Sequence, residues 1–348
     1  MQILTSLELD EGREIGCGQG RNSRVYLVDD PQLGGTFALK KIDKSSLPNS
    51  SAWWEETKRM YASEHEHVLP IRYGCQTTDH ICLILPYCKN GTLADKIVDK
   101  SVSLRELIKL GQGILLGVGR IHSAGLCHFD IKPTNILFSD THQPLVADFG
   151  QARPIGPYGT AHPPGRMYNY ALPPELCFVY QGSPASDLYQ VALTLYRAVN
   201  SDRFFLSQAS THPNIFAAIS SGTFPDRDAF QPHVPLLIRK VIKKGLELLP
   251  ADRYANASEF ANDLGRINPS KDWFLEQFAS GEKDWTCHLD SHRKIKTRLF
   301  SIGPKWGIEI HSENNGVRRA LKKVLWKRDL TGREADIQLR KVFRVLEN

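Results

Sequence analysis

The sequence predicts an α+β chain, and three stretches carry that expectation. Segment 102–124 repeats apolar residues at helical spacing (Leu107, Leu110, Ile114, Leu115, Val118, Ile121), as a buried amphipathic helix does. Residues 81–85 form a short apolar run that ends in the turn chemistry of Pro86-Tyr87-Cys88-Lys89-Asn90-Gly91, which reads as a strand running into a turn. Near the C-terminus, 295–302 and 306–311 alternate on either side of Gly303-Pro304, as two strands around a turn would.

The remaining elements follow from the same patterns. A helical stretch covers 52–64. In the tail, Val317, Ala320, Leu321 and Val324 predict one face of a helix whose other face bears Arg318, Arg319, Lys322 and Lys323. A second tail helix is expected from Thr331, where Glu334 completes a capping box, with Ala335, Leu339, Val342, Phe343 and Leu346 inward. Residues 267–348 hold 17 Lys/Arg against 11 Asp/Glu, whereas 1–266 balance at 27 of each, so the net charge of +6 lies entirely in the tail.

Composition sets bounds. The length of 348 residues suggests two or three domains, and 41% hydrophobic residues allow a real core. There is no run of eighteen apolar residues, and Met1-Gln2-Ile3-Leu4-Thr5-Ser6 does not read as a signal peptide. The seven cysteines include no CxxC pair, as expected of reduced thiols. A soluble, cytoplasmic protein is the expectation.

The chemistry concentrates in His128-Phe129-Asp130-Ile131-Lys132-Pro133-Thr134-Asn135, with Asp148-Phe149-Gly150 thirteen residues after the asparagine. One short stretch thus holds a proton acceptor, a cation and two oxygen ligands for a metal. These residues resemble the catalytic loop and metal-binding motif of eukaryotic-type (Hanks-type) protein kinases. The resemblance implies that Asp130 orients the acceptor hydroxyl and takes its proton, with Lys132 beside it, while Asn135 and Asp148 hold Mg²⁺ or Mn²⁺. His128 has no carboxylate or cysteine partners at ligand spacing and reads as a packed structural residue.

Upstream residues extend the resemblance. In Ile15-Gly16-Cys17-Gly18-Gln19-Gly20-Arg21-Asn22-Ser23-Arg24-Val25, two glycine registers compete, and Phe37-Ala38-Leu39-Lys40 decides between them. Val25 precedes Lys40 by fifteen residues, the family separation, so Gly18 and Gly20 take the first two glycine places and Ser23 the third. Backbone that approaches phosphate oxygens closely is best free of side chains. The resemblance then implies an ATP site that includes Cys17, Gly18, Gly20 and Ser23. Lys40 meets the α- and β-phosphates, paired with Glu56 or, in the alternative register, Glu55. Leu85 would be the gatekeeper, the backbone of Pro86 to Cys88 would bond adenine, and Val25, Ala38 and Leu137 would sandwich the ring.

Departures from the family pattern are informative. Phe129 stands where many members carry an arginine that pairs with an activation-loop phosphate. The segment 148–175 holds Thr160 as its only serine or threonine and is stiffened by Pro154, Pro157, Pro163 and Pro164. Activity independent of activation-loop phosphorylation is therefore expected. Glu175 and Arg253 match the family's distant ion pair, and Asp187 matches the aspartate that anchors the catalytic loop. Tyr168 or Met167 occupies the place of a threonine that usually touches the catalytic aspartate and lysine. Lys132 nonetheless favours serine or threonine acceptors.

By resemblance the fold is bilobal and protein-kinase-like. A β-rich N-lobe (8–87) with a five-stranded antiparallel sheet and a helical C-lobe (88–266) would enclose ATP, followed by a small basic α+β module (267–348). The compact layout without long insertions resembles bacterial members. The expected activity is ATP-dependent phosphorylation of serine or threonine in protein substrates, with autophosphorylation. The competing classes are an inactive kinase-like scaffold, disfavoured by the presence of Lys40, Asp130, Asn135 and Asp148, and a small-molecule phosphotransferase, which generally lacks Asp-Phe-Gly and a Pro-Pro-Glu segment. The basic tail raises nucleic acid as a partner, but a solvated basic face is favoured because no nucleic-acid motif accompanies it. No membrane association is expected, and the sequence leaves the oligomeric state open.

Overall fold

The computed structural model describes residues 8–16, 23–32, 34–46, 61, 64–165 and 167–347. Cys17, Gly18, Gly20, Glu55, Glu56 and most of the 52–64 stretch lie outside the described residues.

Five antiparallel strands build the N-terminal part: β1 (Asp10–Ile15), β2 (Ser23–Asp30), β3 (Gly35–Asp43), β4 (Tyr73–Gln76) and β5 (His80–Pro86), in the order β1-β2-β3-β5-β4. Val25 pairs with Lys40, Lys40 with Leu83 and Ala38 with Leu85. Strand side chains alternate between faces, so Val25, Ala38, Lys40, Leu83 and Leu85 share one. Ile42, Ile81 and Leu83 cluster on that side, while Val28, Leu39, Cys82 and Ile84 cluster on the other. Burial on both faces is why β5 reads as continuously apolar.

The helical part begins with α1 (Leu93–Ile97), whose N-terminus is closed by a Thr92/Asp95 capping box. The long α2 (Leu104–Ser123) buries Leu107, Leu110, Ile114, Leu115, Val118 and Ile121, the stripe that the sequence predicts. Between it and the next long helix run two two-stranded sheets, the hairpin β7 (Ile136–Phe138) with β8 (Pro144–Val146) and the flanking pair β6 (Leu126–Cys127) with β9 (Arg153–Pro154). Helix α3 (Pro184–Asn200) is buried on every side from Ser186 onward, which marks it as the centre of the lobe. The remaining helices of the lobe are α4 (Asp202–Ala209), α5 (Ile215–Ser220), α6 (Leu236–Gly245) and α7 (Ala257–Gly265). No helix among the described residues is long and apolar enough to cross a membrane.

The C-terminal residues form a β-rich module. Strands β10 (Trp273–Gln277), β11 (Lys283–His288), β12 (Arg293–Ile302), β13 (Lys305–Asn314) and β14 (Val317–Ala320) lie in order, and β15 (Lys327–Leu330) pairs with β13. Helix α8 (Gly332–Glu347) buries Ala335, Leu339, Val342, Phe343 and Leu346, all five expected positions. Its capping box is present: the Glu334 N–H donates to Thr331 Oγ1, and the Thr331 N–H donates to Glu334 Oε2.

The expected basic helix over 317–324 is absent. Asn315 and Gly316 both take positive φ (47° and 80°), the two-residue turn that reverses a hairpin, and Asn314 pairs with Val317 directly across it. Lys322 is left-handed (φ 50°), which no helix interior allows. Val317 and Val324 are 58% and 83% exposed, so the apolar face inferred from their spacing buries neither. Of the four basic residues expected on that helix, Arg318 meets Glu309 at 3.0 Å; elsewhere in the module Lys294 meets Glu313 at 2.8 Å and Arg298 lies 3.5 Å from Asp284.

The module shares its core with the helical lobe. Trp273, Leu275, Trp285 and Phe343 belong to the same apolar cluster as Leu107, Val191 and Phe260. Polar bonds fix the seam: the Ser101 N–H donates to Leu275 O (2.8 Å), the Gln277 N–H to Asp99 O (2.7 Å), and Trp285 Nε1 to His233 Nδ1 (3.1 Å). Asp272 accepts from the Arg105 N–H at 2.8 Å, placing a carboxylate at the N-terminus of α2, the favoured end for negative charge.

Candidate active site

Residues 128–135 follow β6 as an irregular loop, and α3 fixes their shape. Buried Asp187 accepts the backbone N–H groups of His128 and Phe129, each at 2.8 Å. Phe129 adopts φ 60°, a left-handed conformation that costs a β-carbon-bearing residue about 1–2 kcal/mol. The twin bonds to Asp187 and the complete burial of the Phe129 ring offset that strain.

His128 is fully buried, and burial pushes its pKa below the ordinary imidazole value against the pull of Asp187, Asp130 and Asp148. The ring is therefore neutral. Its Nδ1 accepts from the Asp130 N–H (3.2 Å) and its Nε2 donates to Ala147 O (3.1 Å). The histidine ties the loop to the residue preceding Asp148, a structural role as the sequence suggests.

Around Asp130 the expected groups converge. Lys132 Nζ donates to both carboxylate oxygens at 2.8 Å, and Asn135 Nδ2 donates to Asp130 O and Oδ2, also at 2.8 Å. Burial raises the Asp130 pKa, and Lys132 works against that shift. Across the cleft, Lys40 Nζ lies 2.5 Å from Asp148 Oδ1. Burial pushes the Asp148 pKa upward, but Lys40 and the Gly150 N–H outweigh it, holding the carboxyl at about 2. Both bonds use Oδ1, which leaves Oδ2 without a hydrogen bond among the described residues.

The residues expected beside adenine also assemble. Leu85, Cys88 and Leu137 pack against Leu69, Leu145 and Ala147, while Ala38 pairs with Leu85, and Pro86 with Phe37. Ser23 and Val25 lie on β2, opposite Ile42 and Lys40.

Below the cleft, Arg253 clamps Glu175 with two bonds of 2.6 and 2.9 Å and donates further to Glu247 O, Leu248 O and Ala185 O. Of the two residues at the threonine position, Met167 packs into an apolar cluster with Cys127, Phe129, Ala161 and Leu176. Tyr168 instead places its ring 5.2 Å from Lys132 Nζ.

Sequence reasoning missed Gln190. Its Oε1 accepts from the Ile131 N–H (3.0 Å), and its Nε2 donates to Phe129 O (3.1 Å) and Ala171 O (3.0 Å), locking the loop to the segment before Glu175. The available signal was an amide within the otherwise apolar run 188–193, where an unpaired polar group would be costly.

Comparison with known proteins agrees with this geometry. The family model for the protein kinase domain matches residues 11–263. The chain belongs to the protein kinase domain family. Among curated relatives it is similar to calcium-dependent protein kinase 11 of Arabidopsis thaliana, 29% identical over 68% of this chain and 48% of that protein. It is also similar to serine/threonine-protein kinase PknD of Chlamydia caviae, 23% identical over 79% of this chain and 32% of that protein. A third is serine/threonine-protein kinase PknK of Mycobacterium tuberculosis, at 26% identity over 75% of this chain and 24% of that protein. This kinase-family chain spans about half or less of the length of such relatives.

Proposed function

We propose that the chain is an ATP-dependent protein kinase that transfers the γ-phosphate to serine or threonine hydroxyls. The observation that carries this reading is the convergence of Lys132 and Asn135 on the Asp130 carboxylate, with Lys40 and Asp148 paired across the cleft. Asp130 orients the hydroxyl and accepts its proton. Lys132 neutralises charge developing on the transferred phosphoryl group, and Lys40 binds the nucleotide phosphates. On this reading Glu56, with the 17–23 loop, completes the nucleotide site, and Val25, Ala38, Leu85, Pro86, Cys88 and Leu137 surround adenine.

The donor set suits a hard divalent cation. Asn135 commits its amide nitrogen to Asp130, so its Oδ1, which accepts a long bond from Thr134 Oγ1 (3.4 Å), is the atom that would meet a metal, and Asp148 offers Oδ2. Carboxylate and amide oxygens are ligands that Mg²⁺ or Mn²⁺ accepts. When bound, the ion would supply charge neutralisation at the phosphates.

Independence from activation-loop phosphorylation belongs to the same reading. The apolar cluster of Cys127, Phe129, Ala161 and Leu176 fills the neighbourhood of Phe129, which supports a segment held by packing rather than by a phosphate. Reciprocal backbone bonds between Ala161 and Gly182, both 2.9 Å, support it further. We take 8–266 as the kinase domain and 267–348 as an appended module. The absence of the expected basic helix over 317–324 favours a solvated surface over a nucleic-acid interface.

The test is radiolabelled ATP with Mg²⁺ or Mn²⁺, using the full chain and its Asp130→Asn variant. Labelling of casein or of the chain itself, reduced at least a hundredfold in the variant, is expected. Labelling of sugars or amines instead of protein would favour the small-molecule phosphotransferase. No labelling of any acceptor would favour the scaffold.

A further inference from the structure

Lys132 is satisfied on one side by both oxygens of Asp130. Its ammonium also stands over the ring of Tyr168, 5.2 Å from the centroid, within the range at which an aromatic face attracts a cation. The lysine side chain is only 18% exposed, so little water competes for that side.

The ring itself is braced. Tyr168 packs edge-on against Tyr170 (5.5 Å), Tyr170 packs edge-on against both Phe205 and Phe224 (6.3 Å each), and those two rings touch at 5.0 Å. Phe205 and Phe224 are core residues. Farther along the same segment, Gln190 bonds Ala171 O. Tyr168, itself 41% exposed, is thus linked to the core through Tyr170 and stands between that ring and the lysine.

We propose that Tyr168 is a positioning residue: its ring face, rather than a hydroxyl hydrogen bond, holds Lys132 aligned on Asp130. The role rests on the kinase reading above only in its kinetic consequence. An ammonium left without that ring face can swing toward solvent, away from the carboxylate and the phosphoryl oxygens. Turnover then falls while nucleotide binding, which uses other residues, is unchanged.

Two measurements test this on the full chain. With casein as acceptor, Tyr168→Leu should lower kcat about tenfold with the KM for ATP unchanged, and Tyr168→Phe should retain kcat within about twofold. In a Lys132→Met background, Tyr168→Leu should cause no further loss, because the ring acts through the lysine. A Tyr168→Phe loss equal to that of Tyr168→Leu, or a loss fully additive with Lys132→Met, overturns the proposal.

The second measurement needs no activity. In ¹³C-lysine-labelled protein, with the signal assigned through Lys132→Arg, the Lys132 ε-methylene should be shifted upfield by the ring in wild type and in Tyr168→Phe. It should return to the free-lysine position in Tyr168→Leu. If wild type transfers no phosphate, the kinase reading falls and this spectrum alone decides: the shift upholds the contact, and its absence refutes it.

Discussion

Lys40 Nζ and Asp148 Oδ1 lie 2.5 Å apart, so the cation read as binding phosphate is spent on the carboxylate read as binding metal. Nucleotide and metal entry would exchange this pair for two new ones. Until then it keeps β3 of the N-terminal sheet tied to the segment after β8.

Lys40→Met should therefore abolish detectable phosphotransfer and also alter acid stability. The Asp148 carboxyl sits at about 2, against roughly 3.9 in an unfolded chain. Its pairing stabilises the fold above pH 4, and that contribution is lost as pH falls toward 2. The carboxylate is about a third exposed, so the gain is below about 1 kcal/mol. Thermal melts of wild type and Lys40→Met should differ at pH 6 and converge as pH approaches 2.

Asp130 supplies a pH signature for activity. Burial raises its pKa and Lys132 lowers it, and a general base must be ionised to act. The acid limb of kcat/KM should lie above the ordinary aspartate value of about 3.9. Lys132→Met removes the lowering influence, so its residual activity should show that limb moved to higher pH. A limb that stays in place would dissociate the rate from Asp130.

Gln190 offers a test of loop anchoring. Gln190→Leu leaves the Ile131 N–H and the Phe129 and Ala171 carbonyls without their partner inside the lobe, and each buried unsatisfied group costs about 1–3 kcal/mol. A loss of about 2–5 kcal/mol in urea denaturation is expected, with kcat reduced more than the KM for ATP. Arg253→Ala, by contrast, should damage folding more than chemistry.

The activation segment should tolerate Thr160→Ala with activity within about twofold, because among the described residues Thr160 Oγ1 makes a single bond, accepting from Gln181 Nε2. Gly182→Ala should be harmful: a Cβ there would sit 2.4 Å from the Phe129 ring. Phosphotransfer by both variants, together with their thermal midpoints, separates a segment held by packing from one switched by phosphate.

The groups proposed to be catalytic were legible because they are nearly contiguous. Residues 128–135 and 148–150 carry an acid, a cation and the proposed metal ligands at fixed spacing, while α2 and α8 announce themselves through helical periodicity and β5 through a continuous apolar run. Gln190 was not legible, because its partners are backbone groups 59, 61 and 19 positions away, and no residue type marks a carbonyl as needing a donor. The 317–324 stretch failed for a different reason. Its apolar spacing fits a helix, but the Asn315-Gly316 turn and pairing to β13 satisfy the backbone of β14 first.

Sequence alone therefore determined which reactive side chains the chain carries, since they keep their identity wherever they are placed. The tertiary structure decided what holds them: that Tyr168 and not Met167 faces Lys132, that Phe129 lies in an apolar cluster, and that the tail shares the core of the helical lobe. Burial is a property of what surrounds a residue. Trp273 and Trp285 carried no sequence signal that assigned them, and only the assembled fold supplies the surface they cover.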